Sequence, residues 1–511
     1  MGWMAPDIMA GCLVLMELLL PSLAVYAYFR DQGHTLAEAA AYGAIIPLML
    51  LSGIYQLAAA AGRPAAAWIA EAALMLAATA IIWRKSAWLI GLGRGVLAFG
   101  RTHPIPVLSL AAAGLWLGVQ AWLGSGLSGG PELPWTMLRD LAQGHPLAVS
   151  GPRPANAQWT AWVALRMNSV AGGGLTSLWA YFSIGFATYA LGRRYAWPPT
   201  AITATLVVMS MPRLAALAPS GQAEILQAGA AVLSLLAVYR IVERPTARDL
   251  MVLAGAIPFT LGGSGIALAL PAILGGLATV LILRRHDYRM ILPALKSHPY
   301  HLLLALGVLV VFAQIPLLGY PGAWITVPAN PDGLQGSLAN LARYLLESLH
   351  LTRPVEALVL AVADVSPRLF LERIFEHGLG DPLGRIGATA DFRIHWSPSL
   401  PRAWFGPLGC LMVLPAIAYA LFKGPRRLKA VAVALAACLY LVTLIPAWQP
   451  GNAFLFTPFF SMGGFCTAYF LPPWRFTRRR RIILQVLCAG LLGYTCLSNS
   501  ALMSHWAAGP F

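Results

Sequence analysis

The sequence has few charged residues for its length. Asp, Glu, Lys and Arg make up 11% of the 511 residues, whereas 58% are hydrophobic, and soluble domains contain about 25% charged residues. So few charges cannot cover a water-facing surface of this size, which excludes a soluble enzyme. Acids are the scarcest, with 19 Asp and Glu against 35 Lys and Arg. Because the basic residues lie in short loops between apolar runs, they indicate membrane topology and no nucleic-acid partner.

Several common chemical signatures are also missing. The six cysteines all fall within apolar runs without zinc-like spacing, so neither a zinc site nor an outer-loop disulfide is predicted. There is no phosphate-binding loop, and the glycine-rich run at 91–95 does not follow a predicted strand, as a dinucleotide site requires. Glu17 interrupts the first apolar run, which we interpret as a retained span and not a signal peptide. The absence of repeated halves and of a charged midplane cluster disfavours a transporter.

Long apolar runs dominate the chain and predict an all-α, polytopic transmembrane fold of about 13–14 spans. A span needs about 20 mostly apolar residues. The pair 249–262 and 264–283 is either two spans or one long helix broken around 262–265, and the short stretch 86–100 is predicted to lie at the interface. The predicted spans are 8–28, 40–60, 66–83, 104–124, 173–191, 199–216, 221–241, 249–262, 264–283, 300–318, 404–422, 427–446, 452–471 and 480–499.

The basic loops predict the orientation of these spans. If the spans alternate, six separate Lys/Arg clusters fall on one side, which is the cytoplasm by the positive-inside rule. The long loops 125–172 and 319–403 then lie outside, in the periplasm of a bacterium whose inner membrane holds the chain. The second long loop has helical patterning at 338–351 and 369–377, which predicts a small folded cap. The predicted regions are extra N-terminal spans (1–103), a core with the first outer loop (104–318), the cap (319–403) and C-terminal spans (404–511).

Three acids near the outer face are candidates for chemistry, because acids close to a membrane are costly and often functional. Glu224 opens the seventh span, while Glu132 and Asp140 lie in the first outer loop. The plainer interpretation of Glu224 is an acid at a helix N-terminus, favoured by the helix dipole. For the two loop acids it is a solvated side chain. Glu17 and Glu71, within early spans, are predicted to make packing contacts.

Four segments, in order, resemble motifs of the GT-C class of integral-membrane glycosyltransferases. They cover about 70% of the chain, and the first three spans lie outside them. The sequence departs from the family pattern at Glu224, which stands where the family has Asp, and at Phe454, which stands where it has Arg. The first-loop stretch 124–131 has no acid where the family has its catalytic one, and Glu132 stands in place of a His. The segments are Leu133-Pro134 with 141–147, Met211-Pro212 to Glu224, 404–409 and 448–454.

The resemblance implies transfer of a sugar from a polyprenyl-phosphate donor to a lipid, glycan or protein acceptor at the periplasmic face. It implies that Glu132 acts as base and Glu224 as acceptor or metal ligand, with Asp140 as a further catalytic acid. The leaving phosphate needs cations, although each candidate arginine also has a plainer interpretation as a snorkelling side chain. The predicted substrate-binding residues are Arg139, Arg153, Arg166, Arg213, Trp404, Trp448 and Gln449.

Two questions stay open from the sequence. The reaction class allows a divalent metal as cofactor, but His350, His377 and His395 have no standard cluster spacing, and no metal ligands are assigned. The alternative function is a catalytically inactive GT-C-like accessory or scaffold subunit that binds a protein partner. The missing acid at 124–131 and Phe454 favour that alternative, and small-residue runs such as 58–61 suit close helix packing.

Overall fold

The structure is a computed structural model, and its described part is helical throughout. Among these residues the only β-type pairing is an isolated bridge between Ala329 and Pro446. Eight of the described helices are long and apolar enough to cross a membrane. The prediction of an all-α, polytopic transmembrane protein is therefore confirmed. The structure describes residues 4–61, 63–122, 172–261, 329–349, 353–379, 403–449, 452–471 and 477–507, with isolated positions at 159, 163, 299, 303, 383, 392–394 and 396.

The N-terminal part of the chain forms five consecutive helices. They are α1 (Met4–Asp31), α2 (Leu36–Ala60), α3 (Pro64–Arg84), α4 (Ser86–Thr102) and α5 (Pro104–Trp122). All but α4 coincide with predicted spans to within a few residues. α4 corresponds to the stretch predicted as interfacial. It contains no buried residue, and it turns Leu89 and Leu92 towards the core while Arg94 is exposed.

The middle of the chain contains the most buried helices. They are α6 (Leu175–Gly192), α7 (Pro198–Met209), α8 (Pro212–Leu217), α9 (Ala223–Glu243) and α10 (Ala247–Leu261). The predicted span 199–216 is interrupted, because a helix usually ends before the residue that precedes a proline. Met211 accordingly has extended backbone, and a new helix starts at Pro212. The predicted spans 264–283 and 300–318 lie outside the described residues, apart from 303.

The C-terminal part begins with helices in the predicted outer loop and ends in spanning helices. The helical patterning at 338–351 and 369–377 falls in two of them. The predicted span 452–471 is divided into a 3-10 turn (Asn452–Phe456) and two short helices. The helices are α11 (Gly333–Ser348), α12 (Arg353–Ala363), α13 (Pro367–Leu379), α14 (Gly406–Leu408), α15 (Leu414–Lys423), α16 (Arg426–Leu444), α17 (Thr457–Gly463), α18 (Cys466–Phe470) and α19 (Arg478–Ala507), with a π-helical turn at Gly409–Val413 between α14 and α15.

The N-terminal helices are part of the same packed bundle as the middle of the chain. α2 lies between α1 and α6, and it also contacts α9 and α10. Close approach is possible because small residues lie at the crossings. A Cβ at Gly43 would lie 2.8 Å from the backbone oxygen of Ser22, so α1 and α2 are in direct backbone contact there.

A buried polar network joins the turn between α1 and α2 to the start of α10. We call this end of the bundle the basic end, because the arginine-rich turns lie there. His34 Nε2 lies 3.1 Å from the Asp249 carboxylate, which also accepts hydrogen bonds from Tyr42 (2.7 Å) and Thr246 (2.6 Å). Both His34 and Asp249 are buried. Asp249 is therefore held by three side chains, two of which come from the N-terminal hairpin.

A second set of ion pairs surrounds Arg194 at the same end. Its guanidinium donates to both carboxylate oxygens of Glu243, at 2.7 and 3.0 Å, and to Glu38 at 2.7 Å. Arg240 lies 3.7 Å from the other oxygen of Glu38. Because Glu38 belongs to α2, this network attaches α2 to the ends of α6 and α9.

Candidate functional site

The predicted residues Arg213 and Glu224 form a buried ion pair at the end of the bundle opposite the basic end, which we call the far end. Arg213 Nε donates to Glu224 Oε1 and Nη2 donates to Oε2, both at 2.7 Å. The Arg213 side chain is 3% exposed and that of Glu224 12%. Two parallel charge-assisted bonds of this kind fix the orientation of the carboxylate.

The backbone between α8 and α9 explains why these two residues meet. Arg213 lies in the first turn of α8, immediately after the break at Pro212. The chain then reverses through Gly221, whose φ of 67° is in the left-handed region that glycine adopts easily. Glu224 is the second residue of α9, so its carboxylate lies at the positive end of the helix dipole, as the plainer interpretation expected.

A third side chain, Thr457, completes this group from the C-terminal part of the chain. Its hydroxyl donates to Glu224 Oε1 and accepts from Arg213 Nε at 3.3 Å. Thr457 is the first residue of α17 and is fully buried. The Glu224 carboxylate is thus surrounded by donors from two distant segments of the chain.

Arg213 also binds the segment that resembles the family's late-span motif. Its Nη1 donates to the carbonyl oxygen of Ala403 at 2.8 Å, and its backbone N–H donates to that of Trp404 at 3.0 Å. Close approach requires a glycine at Gly406, because its φ is 68° and a Cβ there would lie 3.0 Å from Pro212. The segments around Pro212 and Trp404 are therefore packed backbone against backbone.

The Trp404 ring lies among aromatic side chains that connect the ion pair to α11. Its centroid is 5.5 Å from that of Tyr344 and 5.9 Å from that of Phe456. The Tyr344 hydroxyl in turn accepts a hydrogen bond from Asn452 Nδ2 at 3.1 Å. Phe456 precedes Thr457, so this aromatic group lies directly beside the ion pair.

Trp448, also predicted from the sequence, packs against a buried arginine of α11. The Arg343 guanidinium lies 5.5 Å from the Trp448 ring and 5.0 Å from that of Phe375. It also donates to Asn340 Oδ1 at 2.9 Å and to the carbonyl oxygen of Leu383 at 2.6 Å. A desolvated guanidinium gains stability from such aromatic faces. Although Phe454 replaces the expected arginine, a cation from α11 thus lies beside the tryptophan of that motif.

One turn further along α11, Glu347 is a buried carboxyl group. It is 3% exposed, and its Oε2 accepts no hydrogen bond from the described residues. Burial raises the pKa of Glu347 to about 8, although the Trp448 indole and the Arg343 guanidinium oppose the shift. At neutral pH the neutral form of Glu347 therefore predominates, in contrast to a carboxylate held in an ion pair.

The far-end cluster consists of Arg213, Glu224, Tyr344, Arg343, Glu347, Trp404, Trp448, Asn452 and Thr457. The sequence predicted four of these nine residues, and it missed the three on α11 together with Asn452 and Thr457. A signal for α11 was present. Polar residues recur with helical spacing at 337, 340, 344 and 347, beside a row of leucines at 334, 338, 341 and 345, a pattern that gives one polar helix face.

The remaining predicted residues lie either elsewhere in the described part of the chain or outside it. The Gln449 side chain is exposed, and its backbone carbonyl accepts a hydrogen bond from Asn452 at 3.2 Å. Glu17 and Glu71 make the predicted packing contacts, with Trp159 and Tyr55 respectively. The predicted residues that lie outside the described part of the chain are Glu132, Asp140, Arg139, Arg153 and Arg166.

Metal ligands are not grouped in the described part of the chain, where no three His, Cys, Asp or Glu residues lie close enough to hold an ion. His377 is exposed, and its ring contacts the Arg373 carbonyl at 2.8 Å. His350 and His395 lie outside the described residues.

Comparisons with known proteins found no match, so the class of this protein is identified from its fold alone. No protein-family model, no curated protein and no solved structure matches this chain. The chain is therefore identified as an α-helical, multi-pass membrane protein.

Proposed function

We propose that this chain is a GT-C-like membrane glycosyltransferase that moves a sugar from a polyprenyl-phosphate donor to a lipid, glycan or protein acceptor. The observation that carries the proposal is the meeting of three family-like segments in one cluster. Arg213 and Glu224, the backbone of Trp404, and Trp448 with its following turn all lie at the far end. A shared active site is one physical reason for segments so distant in sequence to meet.

The proposed chemistry needs a base for the acceptor hydroxyl and cations for the leaving phosphate. Arg213 is bound to Glu224, and it orients that carboxylate as an acceptor or metal ligand. The base is then Glu132, with Asp140 as a further acid. In this proposal the leaving phosphate is bound by the loop arginines Arg139, Arg153 and Arg166.

Transfer of labelled sugar from polyprenyl-phosphate donors, in membranes containing the chain, tests this proposal. Glu224→Gln and Glu132→Gln are expected to abolish transfer. Glu243→Gln is a matched control, because Glu243 also accepts two bonds from one arginine and lies about 29 Å away along α9, at 1.5 Å per residue. If the Glu224→Gln and Glu132→Gln variants both transfer sugar normally, the assigned roles are wrong.

A second function is favoured by one specific observation. Arg213 and Thr457 bond both oxygens of the Glu224 carboxylate in a largely buried group, as in a site kept for stability. Together with the missing acid at 124–131, this supports an accessory or scaffold subunit. That function predicts a stoichiometric protein partner on purification and no transfer with any donor, whereas an active, monodisperse monomer contradicts it.

A further inference from the structure

The helix α12, in the predicted outer loop, is apolar on nearly all sides and none of its described side chains is buried. Leu358 is 63% exposed and Val362 80% exposed, and Leu360, on the opposite side of the helix, is also exposed. Between Val355 and Ala363 the only charged residue is Glu356. A helix that is apolar on all sides is normally buried in a protein core or in lipid, and the described part of this chain does not bury α12.

The next helix, α13, presents apolar side chains together with the charged Arg373 and Glu376 on its exposed face, and it is anchored on the other face. Leu369, Phe370 and Ile374 are exposed large apolar side chains. On the anchored face, Phe375 packs on Arg343 of α11 and Glu372 accepts a hydrogen bond from the backbone of Ile394 at 2.6 Å. Exposed apolar side chains on two consecutive helices exceed the scattered ones normal for a water-facing surface.

The two helices α12 and α13 form a hairpin, and this α12–α13 hairpin lies close to the end of a spanning helix. α11 is attached to the last turn of α16, where the Ser337 and Thr443 hydroxyls are 3.0 Å apart and Asn340 bonds the Thr443 carbonyl. Arg343, which contacts Phe375, is six residues from Ser337, or about 9 Å along the helix. The interfacial layer of a bilayer is about 5–8 Å thick on each side of the hydrocarbon core. Phe375 is therefore held close to the end of this spanning helix, within reach of that layer.

We propose that the α12–α13 hairpin lies in the membrane interface at the far end of the spanning helices, with its exposed apolar side chains inserted among the lipids. α12 is about 16 Å long and cannot span the hydrocarbon core of about 30 Å. Asp364 between the two helices and Arg368 in the first turn of α13 are both exposed, and they reach the headgroups. Part of the predicted cap is thus bound to lipid. The proposal does not depend on sugar transfer.

Two cysteine variants of the full chain test this arrangement. Val362 and Glu376 are both exposed in the chain itself, so without a bilayer Val362→Cys and Glu376→Cys should react equally with a water-soluble maleimide. In phosphatidylcholine proteoliposomes of purified chain, with the unsubstituted chain as background, we expect Val362→Cys to react several-fold more slowly. The unmodified chain, irradiated with a diazirine-bearing phosphatidylcholine, is expected to carry lipid adducts within 355–374.

Each alternative outcome overturns the proposal. Equal maleimide rates together with adducts only on the spanning helices mean that the hairpin lies in water. Protection of Val362→Cys in native membranes but not in proteoliposomes means that a protein partner covers the surface. Lipid adducts on the unmodified chain keep the test decisive if a cysteine variant fails to fold.

Discussion

Separation of Arg213 from Glu224 should cost far more stability than separation of the matched pair at the basic end. Removal of one partner of a buried ion pair costs about 3–5 kcal/mol. Arg213 keeps its bond to Ala403 and Glu224 is slightly exposed, so we expect about 3 kcal/mol for either Arg213→Ala or Glu224→Ala, at the lower end of that range. If the two losses were additive, the double variant would lose about 6 kcal/mol of its free energy of unfolding. A coupling of about 2–3 kcal/mol between the two side chains reduces that loss to about 3–4 kcal/mol.

The assay is the free energy of unfolding, obtained by SDS titration of the purified chain in mixed micelles. The control cycle uses Arg194 and Glu243, which have the same two-bond geometry but side chains 14% and 32% exposed. More exposed pairs contribute about 0–1 kcal/mol, so this cycle should show little coupling. Additive losses at Arg213 and Glu224, or equal coupling in the two cycles, would refute the reasoning from burial.

Three further outcomes are expected in the same unfolding assay. Asp249→Ala removes the acceptor of three side chains, two of them buried, and should cost about 2–4 kcal/mol. Asp31→Ala removes an exposed pair at the same end and should cost much less; equal losses would contradict this. For Glu347, the folded pKa of about 8 exceeds the unfolded value of 4.5, so between those pH values the folded state binds one proton more than the unfolded state. The free energy of unfolding therefore decreases as the pH rises through this range, by up to about 1.4 kcal/mol per pH unit. Glu347→Gln should remove that slope, and an unchanged slope would mean that another group titrates. Gly464→Ala places a Cβ against a side chain of the neighbouring helix and should cost about 1–3 kcal/mol, whereas Gly490, with open space around it, should tolerate alanine.

Helix positions were predictable wherever one long apolar run decides the outcome. α2 and α3 lie within a few residues of the spans expected from composition alone, because about 20 apolar residues have few alternatives in a membrane. The interruptions were missed for the opposite reason. Pro212 was visible in the sequence, but the hydrophobicity of 199–216 continues through it, so the run looked like a single span.

The ion pair of the far-end cluster depends on that interruption. Glu224 and Arg213 were each predicted as site residues, but a continuous span over 199–216 gives no reason for the two side chains to pair. Thr457 joins them from 233 residues away, and such a contact has no signal in one sequence. Glu347 lies in the predicted folded cap, where no local pattern indicates that this carboxyl group is buried. What decides these contacts is the packing of separate segments, which local patterns do not encode.

The network around His34 and Asp249 also constrains how the chain is made. The two residues are 215 positions apart, and synthesis at about 5–20 residues per second separates their emergence from the ribosome by roughly 10–40 s. During that interval the first hairpin is already inserted while His34 and Glu38 still lack their later partners. Until α10 is synthesised, the early helices are either bound by an insertion factor or only loosely associated with each other. Assembly of the N-terminal half is therefore completed from its C-terminal side.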